Sequence, residues 1–133
     1  MARTPEQPTP AELELLQCLW ENGPSTVREA MDKLNKSQRR KRAYTSVMTL
    51  LSIMVDKGLL ERKSEGRAYV YSPKVARDTT LGRMVGELCK RAFGGSSNSL
   101  VAHLLNQEAP SAEELSAIEQ AIKQYKQQQG DNA

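Results

Sequence analysis

Between Arg39 and Pro73 the chain reads RRKRAYTSVMTLLSIMVDKGLLERKSEGRAYVYSP, and few folds accommodate that order of signals. A cationic run leads straight into a helical stretch over 45–57. There Val47, Leu50, Leu51 and Met54 recur at helical spacing and mark one inward face. Gly58 closes the helix, because glycine alone enters the left-handed conformation that ends one cheaply. Leu59 and Leu60 then pack the start of a hairpin, and Glu61, Arg62 and Lys63 run up to a turn expected at Glu65-Gly66. Past the turn, Ala68, Val70 and Ser72 point one way while Arg67, Tyr69 and Tyr71 point the other. A helix followed at once by a hairpin, behind a basic loop, is the arrangement of a winged helix-turn-helix.

The upstream sequence completes that unit. Residues 1–10 contain three prolines and read as a flexible arm. A helix is expected over 11–21, with Leu13, Leu16 and Trp20 on one stripe and Leu15 and Leu19 beside it; Asn22-Gly23-Pro24 ends it. Ser25 and Thr26 suit a short strand, and either hydroxyl can cap the next helix over 27–35, whose inward residues are Val27, Ala30, Met31 and Leu34.

Charge is placed unevenly. Residues 1–75 carry 13 Lys+Arg against 9 Asp+Glu, residues 76–133 carry 6 against 7, and within 36–67 the count is 9 against 3. Such local clustering steers a protein toward a polyanion more than net charge does; a merely solvated basic loop is the alternative. On the polyanion reading, helix 45–57 lies in the major groove of duplex DNA. Tyr44, Thr45, Ser46, Met48 and Thr49 face outward toward bases or phosphates. Arg39, Arg40, Lys41, Arg42, Arg62, Lys63 and Arg67 are the candidate phosphate contacts. No Arg or Asn stands on that face, so direct readout is weak and useful affinity calls for two half-sites engaged together.

After Pro73 the character changes to three amphipathic helices, expected over 77–93, 97–107 and 112–128. Their apolar sets are Leu81, Met84, Val85 and Leu88; Leu100, Val101, Leu104 and Leu105; and Leu115, Ile118, Ile122 and Tyr125. Gly94-Gly95-Ser96 separates the first two, Ser111 and Glu114 form a capping box, and the last five residues are expected to fray. So short a segment is marginal alone, since it buries too little surface to offset its ordering entropy. A second copy covering the stripes solves the problem. Gly82 and Gly86, four apart, either permit a close helix crossing there or are simply tolerated. The expected architecture is mainly α, an α+β winged helix over 8–73 followed by a three-helix dimerisation domain over 74–128.

Other classes find little support. The single His103 stands beside Leu104 and Leu105 without a nucleophile or metal-ligand pattern around it, so neither enzyme nor cofactor is expected. No stretch approaches the roughly 20 apolar residues of a membrane span, and residues 1–12 lack the apolar stretch of a secretory signal, so a cytoplasmic location is expected. Cys18 and Cys89 read as small buried apolar residues, with a redox pair as the alternative. A winged helix used for protein contact and a ligand-responsive repressor remain the alternative functions.

The stretch AYTSVMTLLSIMVDKGLLERKSEGRAYVYSP, with AELELLQCLWENGPSTVREAMDKL before it and GGSSNSLVAHLL after, closely resembles the penicillinase-repressor (BlaI/MecI/CopY) family over about residues 8–128. The resemblance implies a homodimeric repressor with N-terminal winged helices and an interlaced three-helix dimerisation domain, seated on dyad-symmetric operators with TACA/TGTA-type half-sites. Several members are released when a membrane sensor-protease triggers cleavage; by register the bond falls near His103-Leu104, where this sequence differs from the better-known members. It also has Ile53-Met54 where many relatives carry Arg-Leu, and it ends QYKQQQGDNA rather than in the Cys-rich tail of copper-responsive members.

Overall fold

A computed structural model describes residues 7–37 and 41–131. Its elements run α1 (Pro10–Asn22), α2 (Val27–Ser37), α3 (Tyr44–Asp56), β1 (Leu60–Glu65), β2 (Ala68–Pro73), α4 (Arg77–Phe93), α5 (Ser97–Glu108) and α6 (Ala112–Asp131). Contacts divide the chain within α4, between Gly86 and Glu87.

In the first unit, α1 starts one residue before the expected Ala11, because Thr9-Pro10-Ala11-Glu12 is a complete start signal. The Thr9 hydroxyl accepts from the Glu12 amide, the Glu12 carboxylate accepts from the Thr9 amide at 2.8 Å, and Pro10 takes a first-turn position where no N–H is needed. The last part of the expected proline-rich arm thus serves as this helix start; its first six residues lie outside the described residues. Leu15, Leu16 and Leu19 form the buried stripe of α1, while Leu13 and Trp20 sit half-buried at its edges. Thr26 and Glu29 make the same reciprocal box at the start of α2. Ser25 contributes a single bridge to Tyr71, a one-residue third strand beside the hairpin.

The core joins these stripes to Val27, Ala30 and Leu34 of α2, Val47, Leu51 and Met54 of α3, and Leu59, Leu60 and Tyr71 of the hairpin. α3 begins at Tyr44 and ends at Asp56, one residue earlier at each end than expected. Its exit fixes the approach to the wing. Gly58 adopts φ +84° and donates to the Val55 carbonyl, and the Leu59 amide donates back to Met54. Leu59 and Met54 are both buried, so the apolar clasp of this helix stop is part of the core. The strands pair antiparallel from Leu60↔Pro73 to Glu65↔Ala68. The two-residue turn is thus Gly66-Arg67 rather than Glu65-Gly66. Gly66 takes φ +63° at the first central position, as hairpins with glycine first require.

In the second unit, Gly94 and Gly95 both have positive φ, and the Ser96 hydroxyl accepts from the Ser99 amide to start α5. α5 ends at Glu108, one residue beyond expectation, before Ala109 and Pro110. Ser111 accepts from the Glu114 amide at 3.1 Å, but the carboxylate meets the Ser111 hydroxyl instead of its amide, so the expected box is half formed. α6 continues to Asp131 where fraying was expected; Lys126 and the glutamines after it are good helix formers, and Gly130 costs only about 1 kcal/mol. Neither α5 nor α6 buries a side chain fully among the described residues. No helix there is long and apolar enough to cross a membrane.

Candidate nucleic-acid interface

The outward face of α3 is built by its period. With Val47, Leu51 and Met54 buried, Thr45, Ser46, Met48 and Thr49 are left exposed, and Ser52 half-exposed. Met48 and Ile53, at 42% and 43% exposure, are the large apolar groups on that outer side. The face therefore carries hydroxyls and apolar groups, and no side-chain cation. The N-cap is Ala43, which has no side chain to take the free amides of the first turn. Those amides are open to an anion at the positive end of the helix.

Cations stand at both sides. Lys41 is exposed just before α3, and Arg62, Lys63 and Arg67 are exposed on the wing, with Arg67 in the turn itself. Arg62 lies over the Tyr69 ring at 4.5 Å. Tyr69 was placed on the same strand face as Tyr71, yet Tyr71 is buried and Tyr69 half-exposed, because the hairpin extends beyond the edge of the core. Arg39 and Arg40 lie outside the described residues.

Arg42 behaves differently from the other cations. Its guanidinium Nη2 lies 3.4 Å from the Glu14 carboxylate on α1. Asn35 holds its backbone on both sides, donating from Nδ2 to the Arg42 carbonyl at 3.1 Å and accepting from the Arg42 amide at 2.9 Å. Tyr44 also has a partner, since Arg28 of α2 lies over its ring at 5.3 Å. Arg28, Glu12, Glu14 and Asn35 were not singled out by sequence reasoning. The Thr9-x-x-Glu12 spacing was the available signal for Glu12; the others act across the fold and leave no local trace.

At the far end of α3, Lys57 Nζ lies 2.7 Å from Glu12 Oε1. Burial works against the Glu12 carboxylate, but Lys57 and the Thr9 amide and hydroxyl together hold its pKa below the usual glutamate value. Burial raises the Cys18 thiol pKa; Cys18 is buried as expected, and Cys89 is half-buried.

Six of the ten apolar positions expected at a dimer interface are exposed. Val85, Leu88, Val101, Leu104, Leu115 and Ile122 are exposed, with Leu104 at 50%, and Leu81, Leu100, Leu105 and Ile118 are half-buried. A Cβ added at Gly82 or Gly86 would meet nothing within 4 Å in the single chain. His103 packs edge-on against Phe93 at 5.6 Å between ring centres. Among the described residues no group of three or more His, Cys, Asp or Glu side chains could hold a metal ion.

The sequence profile of the penicillinase repressor family matches residues 8–124. The penicillinase repressor of Bacillus licheniformis is 26% identical over 116 residues, spanning 87% of this chain and 89% of that protein. The transcriptional regulator BlaI of Mycobacterium tuberculosis is 34% identical over 113 residues, spanning 84% of this chain and 79% of that protein. Among solved structures, the monomeric form of Bacillus licheniformis BlaI in complex with the blaP half-operator aligns with 58% of this chain and 92% of its own, at 26% identity and a TM-score of 0.48. Matched over most of its length, the chain belongs to the penicillinase repressor family, a family of transcriptional repressors and not of enzymes.

Proposed function

We propose that the protein works as a homodimeric repressor on a dyad-symmetric operator, with α3 in the major groove and phosphates gripped on either side. The observation that carries this reading is the flanking of an open, uncharged helix face by exposed cations, Lys41 before it and Arg62, Lys63 and Arg67 on the wing. Thr45, Ser46, Met48 and Thr49 meet base edges and thymine methyls, and the uncapped first turn beside Tyr44 takes a phosphate. The segment 74–128 supplies the second copy. Its support is the exposed apolar residues of α4, α5 and α6, among them Val85, Leu88, Val101, Leu104, Leu115 and Ile122. Relief of repression by a partner protease cutting near His103-Leu104 in α5 belongs to the same proposal, as does a cytoplasmic location; exposure of both side chains is consistent with cleavage.

The test is selection by the full chain from a pool of random-sequence duplexes, followed by titration of the recovered duplex across salt. The expected result is a recovered site with two related half-sites and an affinity that falls steeply with salt, each neutralised phosphate contributing about 0.9 to the log–log slope. Failure to retain any duplex at low ionic strength contradicts the reading.

A further inference from the structure

Both ends of α3 are tied to α1 by residues that flank the reading face without lying on it. Before the helix, Asn35 grips the Arg42 backbone through two hydrogen bonds, and the Arg42 side chain reaches Glu14. After it, Lys57 reaches Glu12, two residues before Glu14 on α1. Ala43, between Arg42 and the first helical residue, offers no side chain to fix where the helix begins. Core packing of Val47, Leu51 and Met54 seats the helix, and the residues that hold Arg42 fix the backbone leading into its first turn.

Resting on the DNA-binding reading above, the geometry points to Glu14, Asn35 and Arg42 as a clamp that aims the first turn of α3. Arg42 is then a positioning residue, and phosphate contact at that end falls to Lys41. Two physical points support this assignment. An arginine paired with a carboxylate is close to neutral toward a phosphate, whereas Lys41 is exposed and pairs with no carboxylate among the described residues. The pair is also about one-third exposed on each side, at 34% and 35%. Surface pairs of that kind contribute little to stability, so their effect belongs in the orientation of α3, where small displacements separate a matched groove from an unmatched one.

The experiment uses the full chain, the duplex it recovers from the random pool, and a random-sequence duplex of equal length. Glu14→Gln and Arg42→Gln are each expected to weaken binding to the recovered duplex by about two- to fivefold, and Asn35→Ala by about five- to tenfold. Asn35→Ala and Arg42→Gln leave the salt slope and the random-duplex affinity near wild type, and Glu14→Gln and Arg42→Gln leave the melting temperature there; Asn35→Ala, which loses two part-buried hydrogen bonds, lowers it. Lys41→Gln, in contrast, flattens the slope by about 0.9. Arg42→Lys keeps the charge and can replace the single Nη2–Oε2 contact, and is expected to stay near wild type in affinity and slope. Exchanging the charges, Glu14→Arg with Arg42→Glu, restores affinity relative to either single change. The sign of Glu14→Gln is the sharpest readout, because removing a bystander carboxylate would tighten DNA binding. Tighter binding by that variant, a flattened slope in Arg42→Gln, or an exchange no better than its parts each overturns the clamp. A wild-type chain that binds no duplex overturns the DNA reading itself, a separate result.

Discussion

Glu12 does two jobs with one carboxylate, closing the first turn of α1 on the Thr9 amide and pairing with Lys57 at the end of α3. It is 2% exposed, yet its pKa is depressed because those partners outweigh burial. A depressed carboxylate contributes stability that is fully present above the ordinary value of 4.5 and is lost as pH falls through the lower folded value. Glu12→Gln is expected to cost about 1–3 kcal/mol at neutral pH, since it replaces the charge-assisted contact with Lys57 by a neutral one and weakens the Thr9 cap. In urea titrations the gap to wild type should shrink as pH falls below 4.5; a gap independent of pH contradicts the ion pair. The sequence allowed this residue to be found, because Thr9-Pro10-Ala11-Glu12 spells a helix start, but reading the prolines as an arm hid it. The Arg28–Tyr44 and Glu14–Arg42 contacts were not legible, since each joins residues of separate elements whose approach only the fold defines.

At the scale of elements, α3 and the hairpin were the most legible parts of the chain. Their apolar residues recur with the right period, and Gly58 punctuates them. Gly58 has φ +84°, and a Cβ there would be strained although nothing crowds it. Gly58→Ala should therefore lower the urea midpoint by an amount equivalent to about 1 kcal/mol, with the fold retained. The wing turn was misplaced by one residue, because Gly66 can serve as either central position of a two-residue turn, and only the pairing of Glu65 with Ala68 decides between them. Arg62 and Lys63 then lie on a strand that projects past the core. Replacing both by Gln should flatten the salt slope of DNA binding by about 1.8, and an unchanged slope would remove the wing from the phosphate contacts.

For the whole molecule, the question is what covers the apolar stripes of α4 to α6. α4 was read to the residue and α5 to within one, while α6 runs three residues further than expected; a single chain leaves Leu104 at 50% exposure and Tyr125 at 61%. No sequence pattern states which surface meets them. A second copy is the occupant the proposed function requires, because the hydroxyl-and-methyl face of α3 gives one winged helix too little readout alone. Leu104→Asp should yield a monomer whose operator affinity falls by at least about 100-fold, since linking two modules raises avidity by that order, while the winged helix keeps its near-ultraviolet circular dichroism from Trp20. The most direct test is sedimentation of the full chain alone and with the duplex it selects. A dimer that binds as two protomers per duplex at low ionic strength is the predicted result; a single subunit that binds one per duplex with the same affinity, or ignores DNA, contradicts it.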